Sequence, residues 1–202
     1  MINRQRMFQS VAWAWAAGWV LVSMCYVVAD VSSLPNRGLA AIYGLGFAGW
    51  TIGAAGTISY VRHRFGADVY VIALSVAGWG VGALVAVVLL SVGFQGLIVG
   101  AALGGAIGGG LTLPMRSPSS SATIVRASVR RAFNWGVSFL VFQFLAFYIG
   151  YFLLLMAAAP LASIVGWGWA KAAVWALPAG VGGFLAARLA SRSLHFTERG
   201  AA

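Results

Sequence analysis

The sequence predicts an all-α polytopic membrane protein: six transmembrane helices in three tandem helical hairpins, both termini cytoplasmic. Three observations predict it. Of the 202 residues, 61% are hydrophobic and only 8% charged. An ordinary soluble domain is about 25% charged, so this chain lacks the charge to cover a water-facing surface. Six apolar runs have the length of a bilayer-spanning helix, about 20 residues. Basic residues then gather in alternate breaks between those runs.

The runs lie at about 8–29, 39–61, 69–92, 95–115, 133–159 and 165–190, all within one transmembrane domain of residues 1–202. The first follows Arg4 and Arg6, as a signal peptide would, and Val27-Val28-Ala29 would suit cleavage. Its apolar stretch is longer than the 7–15 residues of a signal core, so it is expected to remain as a span. Met24 stands before the single cysteine, Cys25, where a lipoprotein signal needs a small residue. One cysteine permits no intramolecular disulfide.

Arg4 and Arg6, Arg62 and Arg64, then Arg116, Arg126, Arg130 and Arg131, and finally Arg188, Arg192 and Arg199 fall on one side of this topology. Arg37 and Lys171 fall on the other. This is the positive-inside pattern, and it makes both termini and the loop 116–132 cytoplasmic. The formal net charge of +10 is explained by topology, and nucleic acid is excluded as a partner. The expected location is the inner membrane of a bacterium.

The odd spans share a tryptophan mark: "AAGWVLV" at Trp19, "VAGWGVG" at Trp79 and "FNWGVSF" at Trp135. The even spans share small residues at four-residue spacing followed by arginine. The second has Gly49, Gly53 and Gly56, then Arg62; the sixth has Gly180, Gly182 and Gly183, then Arg188. All copies run the same way, a parallel repetition rather than an inverted one.

The fourth span carries the densest stripe, with Gly96, Gly100, Gly104 and Gly108 in one row, widened by Gly105 and Gly109. Lipid tails are as apolar as leucine, so helices associate in a bilayer through close backbone approach, which glycine permits. The stripe is expected to receive a neighbouring helix, or else a lipid, an isoprenoid, a pigment or a partner subunit. Pro114 ends it.

Catalytic chemistry finds little material. The only acids are Asp30, Asp68 and Glu198, and the only histidines His63 and His195. All five sit at span ends, in a loop or in the tail, and intramembrane catalysis or ion relay would place ionisable groups within the spans. No catalytic residue, no metal ligand set and no cofactor is assigned, and the chain is expected not to be an enzyme.

Among interior polar residues, Gln143 in "VFQFL" is expected to hydrogen-bond across helices or to touch a ligand. Asn134 is expected to cap the fifth span or meet headgroups, and Ser23, Thr51, Ser59, Ser75 and Ser138 to bond their own helices. Trp167, Trp169 and Trp175 suit an aromatic belt, while Trp13, Trp15, Trp19 and Trp50 lie deeper. The fifth span carries Phe133, Phe139, Phe142, Phe144, Phe147, Tyr148, Tyr151 and Phe152. Rings on so many sides suit lipid, a carotenoid, a quinone or a neighbouring subunit. In the loop, Ser117-Pro118 marks a turn, and a short helix is expected from about Ser121. Its Arg126, Arg130 and Arg131 would face anionic headgroups or a cytoplasmic partner.

The hairpin pattern, with Gly-Trp in an outgoing span and "GGAIGGGLTLPMR" in a return, resembles small multi-spanning proteins of photosynthetic and related bacteria. That group brings no established activity. Ala12 and Ala16 also match the Ala-x-x-x-Ala spacing of the substrate-binding subunits of energy-coupling-factor vitamin transporters. That resemblance implies solute binding. The leading expectation is a non-enzymatic accessory or structural subunit of a larger membrane complex, holding lipid or pigment. Transport of a small, largely uncharged solute is the alternative.

Overall fold

A computed structural model describes residues 4–31, 37–65, 69–90, 94–112 and 121–192. They form α1 (Arg4–Val31), α2 (Arg37–Phe65), α3 (Val69–Leu90), α4 (Phe94–Leu111), α5 (Ser121–Val165) and α6 (Trp167–Ser191). The protein is all-α, with no strand among the described residues. Three helical stretches there are long and apolar enough to cross a membrane: Val69–Leu89, Ala122–Val165 and Trp167–Ser191. Ile98–Leu111 is a shorter apolar helix.

Each helix packs antiparallel on its sequence neighbours, and α6 closes back on α1, so the six form a ring; the contact of α2 with α3 is the lightest. Alternating directions gather the ends of α2, α4 and α6 with the starts of α1, α3 and α5. Arg62, His63, Arg126, Arg130, Arg131, Arg188 and Arg192 therefore share one end of the bundle, and Lys171 lies at the other.

Two boundaries differ from the sequence expectation. The helix expected from Ser121 is not a separate element: α5 runs unbroken for 45 residues, and Asn134 sits inside it rather than capping it. At 1.5 Å per residue α5 is about 68 Å long, more than the about 45 Å of a whole bilayer with headgroups. Its first turns project past the end of α4, since Gly110 of α4 already lies beside Ala132 and Ser128. At the far end Pro160 does not break α5. The turn comes at Gly166, whose φ of 85° lies in the left-handed region that favours glycine. Its N–H bonds Ala162 O at 2.9 Å, and its own carbonyl accepts from Ala170 at 3.0 Å.

Candidate functional site

The centre of the ring is aromatic. Trp15 and Trp19 of α1, Trp50 of α2, Trp79 of α3, and Trp135 and Phe139 of α5 are all buried. Trp15 is the hub, with ring centroids 5.1 Å from Trp50, 5.1 Å from Trp79, 6.0 Å from Trp135 and 4.8 Å from Phe139. Most of these pairs are tilted or edge-to-face, the geometry the aromatic quadrupole prefers. The even helices α4 and α6 answer with small residues.

The glycine row of α4 has two faces, and each meets a different helix. Gly100 abuts the backbone of Ala86, Gly104 the backbone of Gly82, and Gly108 the ring of Trp79, all on α3. Gly105 receives the ring of Phe139 and Gly109 that of Trp135, both on α5. Gly96 is buried as well. A Cβ at Gly104 would strike the Gly82 carbonyl oxygen, and one at Gly82 would strike that of Gly104. Such proximity permits Cα–H···O contacts that bulkier residues forbid.

The packing corrects the register of the internal repeat. In the first hairpin the Trp15 Nε1–H donates to Thr57 Oγ1 at 3.0 Å, and that hydroxyl donates to Gly53 O at 3.0 Å. In the second the Trp79 Nε1–H donates to Thr112 Oγ1 at 3.0 Å, and that hydroxyl donates to Gly108 O at 2.7 Å. Gly53 seats the Trp15 ring as Gly108 seats Trp79, and Gly18 meets Gly49 as Gly82 meets Gly104. The repeated unit is thus Trp-x-x-Gly on the outgoing helix against Gly-x-x-x-Gly-x-x-x-Thr on the return.

Trp79 therefore corresponds to Trp15, not to Trp19. Trp19 instead meets Gly183 of α6, and Trp135 meets Gly109 of the preceding hairpin. In the third hairpin Gly182 lies against the Phe142 carbonyl. That aligns Phe139-x-x-Phe142 with Gly182-x-x-x-Ala186-x-x-x-Ala190. Phenylalanine has no N–H, so alanine in place of threonine leaves no donor unpaired. Sequence reasoning missed Thr57 and Thr112; the signal was a threonine four residues after a glycine, in two return helices.

Gln143 is 4% exposed, and its Nε2 donates to Ala179 O of α6 at 3.5 Å. It lines a cavity of about 20 Å³ with Trp19, Ser23, Ile98, Ala146, Phe147, Trp175 and Ala179. That volume admits about one water. Ser23 and Ser75 bond carbonyls of their own helices. Trp13, Trp167 and Trp169 are exposed, while Trp175 stacks on Phe147 at 5.4 Å.

The three arginines of α5 part company. Arg126 and Arg130 are exposed, but Arg131 is 3% exposed, against the expectation that all three face headgroups. Helical phase is the reason: Arg131 lies one turn before Trp135 and two before Phe139, in the stripe that faces the core. Its Nε and Nη1 are buried without a hydrogen-bond partner, as are the indole nitrogens of Trp19 and Trp135.

No cluster of histidine, cysteine or acid that could hold a metal occurs among the described residues. Asp68, His195, Glu198 and Arg116, together with the side chain of Asp30, lie outside them. No protein-family model, curated protein or solved structure matches the chain.

Proposed function

We propose that the chain is a non-enzymatic integral protein of the bacterial inner membrane, crossing it six times with both termini cytoplasmic. It serves there as an accessory or structural subunit of a larger membrane complex. The observation that carries this reading is how the interior is used. Indoles and glycines fill the centre of the ring, leaving broad apolar faces outside. Tyr70, Leu84 and Val88 of α3, and Tyr148, Leu155 and Met156 of α5, are all more than half exposed. Apolar patches of this extent are stable against lipid or another membrane protein, not against water. A lipid, quinone or carotenoid would lie along the aromatic side of α5, where the rings of Phe144 and Tyr148 are 4.7 Å apart.

The experiment is purification from the native membrane in mild detergent, with mass spectrometry of co-purifying chains and an absorption spectrum. A reproducible set of partner subunits is expected. An isolated chain carrying one small solute would overturn the proposal and favour transport. One observation favours that second reading: Gln143 lines a cavity with Trp19, whose indole N–H is buried and unpaired. A solute larger than water would need Phe147 or Trp175 to swing aside.

A further inference from the structure

Arg131 caps the core-facing stripe of α5 at the basic end of the bundle. Successive core positions one turn apart present Arg131 Nε and Nη1, then Trp135 Nε1, all buried and unpaired. Residues at this spacing have Cβ atoms about 6 Å apart. The group offers three donor nitrogens, no acceptor and a full positive charge. A lone buried cation is among the most unfavourable arrangements a fold can hold, and none of the described residues at this end is a carboxylate.

We propose that Arg131 and Trp135 form a binding site for a phosphate group at the basic end of the ring, between α4 and α5. The guanidinium presents a planar fork that matches phosphate oxygens. The indole N–H, one turn deeper, supplies a third donor. A phosphate has oxygens enough to accept from all of these nitrogens, and its charge offsets that of the guanidinium. Trp135 and Ala132 fill this side of α4 at Gly109 and Gly110, so the phosphate enters from the end of the seam where Arg131 lies. The exposed Arg126 and Arg130 lie nearby on the same helix and add a positive field at the entrance. The phosphate is a phospholipid headgroup or free inorganic phosphate. Only the lipid source rests on the membrane reading given above.

The test uses full-length protein stripped of lipid in a neutral detergent. Thermal stability and native mass spectrometry are followed on addition of phosphatidylglycerol, of uncharged diacylglycerol, or of inorganic phosphate. Phosphatidylglycerol alone is expected to bind and stabilise if the headgroup is the ligand; inorganic phosphate would do so as well if the free ion suffices. Diacylglycerol should do neither. Arg131→Gln should weaken binding at least tenfold, yet equal or exceed the wild type in stability when both are ligand-free, because the unpaired charge is gone. Trp135→Phe keeps the ring and loses one donor, so it should bind several-fold more weakly. It also serves should Arg131→Gln fail to fold. Lys171→Gln, at the opposite end of the bundle, should bind as the wild type does. Equal phosphate binding by wild type, Arg131→Gln and Trp135→Phe would overturn the proposal. So would a loss of stability in ligand-free Glu198→Gln or Asp68→Asn that Arg131→Gln abolishes, since an acid of the chain would then be the partner. Neither result bears on whether the chain spans a membrane.

Discussion

Replacing Thr112 by valine isolates one hydrogen bond of the repeated unit. The two side chains have nearly the same shape, so packing beside Trp79 is kept while the acceptor of its indole N–H, 3.0 Å away, is removed. Both residues are essentially inaccessible, at 0% and 1% exposure, so water cannot take the acceptor's place. A buried donor left unpaired costs about 1–3 kcal/mol, and interhelical hydrogen bonds in membranes contribute roughly 0.6–2 kcal/mol. A loss of about 1–2 kcal/mol is therefore expected. For a chain of this length it would lower the melting temperature by roughly 2–8 °C. The assay is thermal unfolding in detergent, followed by near-ultraviolet circular dichroism, which reports on the packed indoles. The decisive comparison is Thr112→Val in the Trp79→Phe background, where no N–H remains to be orphaned. There the cost should fall to the small contribution of the hydroxyl's bond to Gly108 O, leaving a coupling of about 1 kcal/mol between the two sites. Equal effects in both backgrounds, or none in either, would refute the reasoning.

Thr57→Val with Trp15→Phe should reproduce the same coupling in the first hairpin, measured the same way. Gly104→Leu and Gly100→Leu should impair folding, read as yield of monodisperse protein, because Gly82 and Ala86 backbone atoms occupy the added side chain's space. Gly80→Ala is the control: nothing lies within 4 Å of its added methyl, and stability should be unchanged or raised by about 0.5–1 kcal/mol of helix preference. Reporter fusions after Arg64 and Arg131 should read cytoplasmic and one near Lys171 external; an external result at Arg131 would sink the six-span topology. Alanine at Asp30, His63, Asp68, His195 and Glu198 together should leave insertion and partner capture intact. Loss of a measurable turnover in that correctly folded variant would make the protein an enzyme.

Composition and the spacing of apolar runs were enough to determine the all-α class and the number of helices, because a bilayer-length apolar run has few other ways to satisfy its backbone. The arginine alternation was likewise legible, since it depends only on position along the chain. The four-residue glycine rows announced close contact, because 3.6 residues per turn place them on one face. What they contact was not legible. Gly105 and Gly109 turn toward α5 while Gly104 and Gly108 turn toward α3, and a shift of one residue in helical phase decides between them. The same phase decided that Arg131 turns inward while Arg130 turns outward. The marks Trp19 and Trp79 look alike in sequence, yet Trp15 is the partner in geometry, because a hydrogen bond to a threonine on another helix sets the register. The chain turns at Gly166 rather than at Pro160, since a proline on an exposed face costs one backbone bond and a positive φ redirects the chain. The sequence by itself determined which residues can approach closely. The ring's closure, α6 against α1, decided which of them do, because the buried indoles fill gaps that glycines on different helices leave.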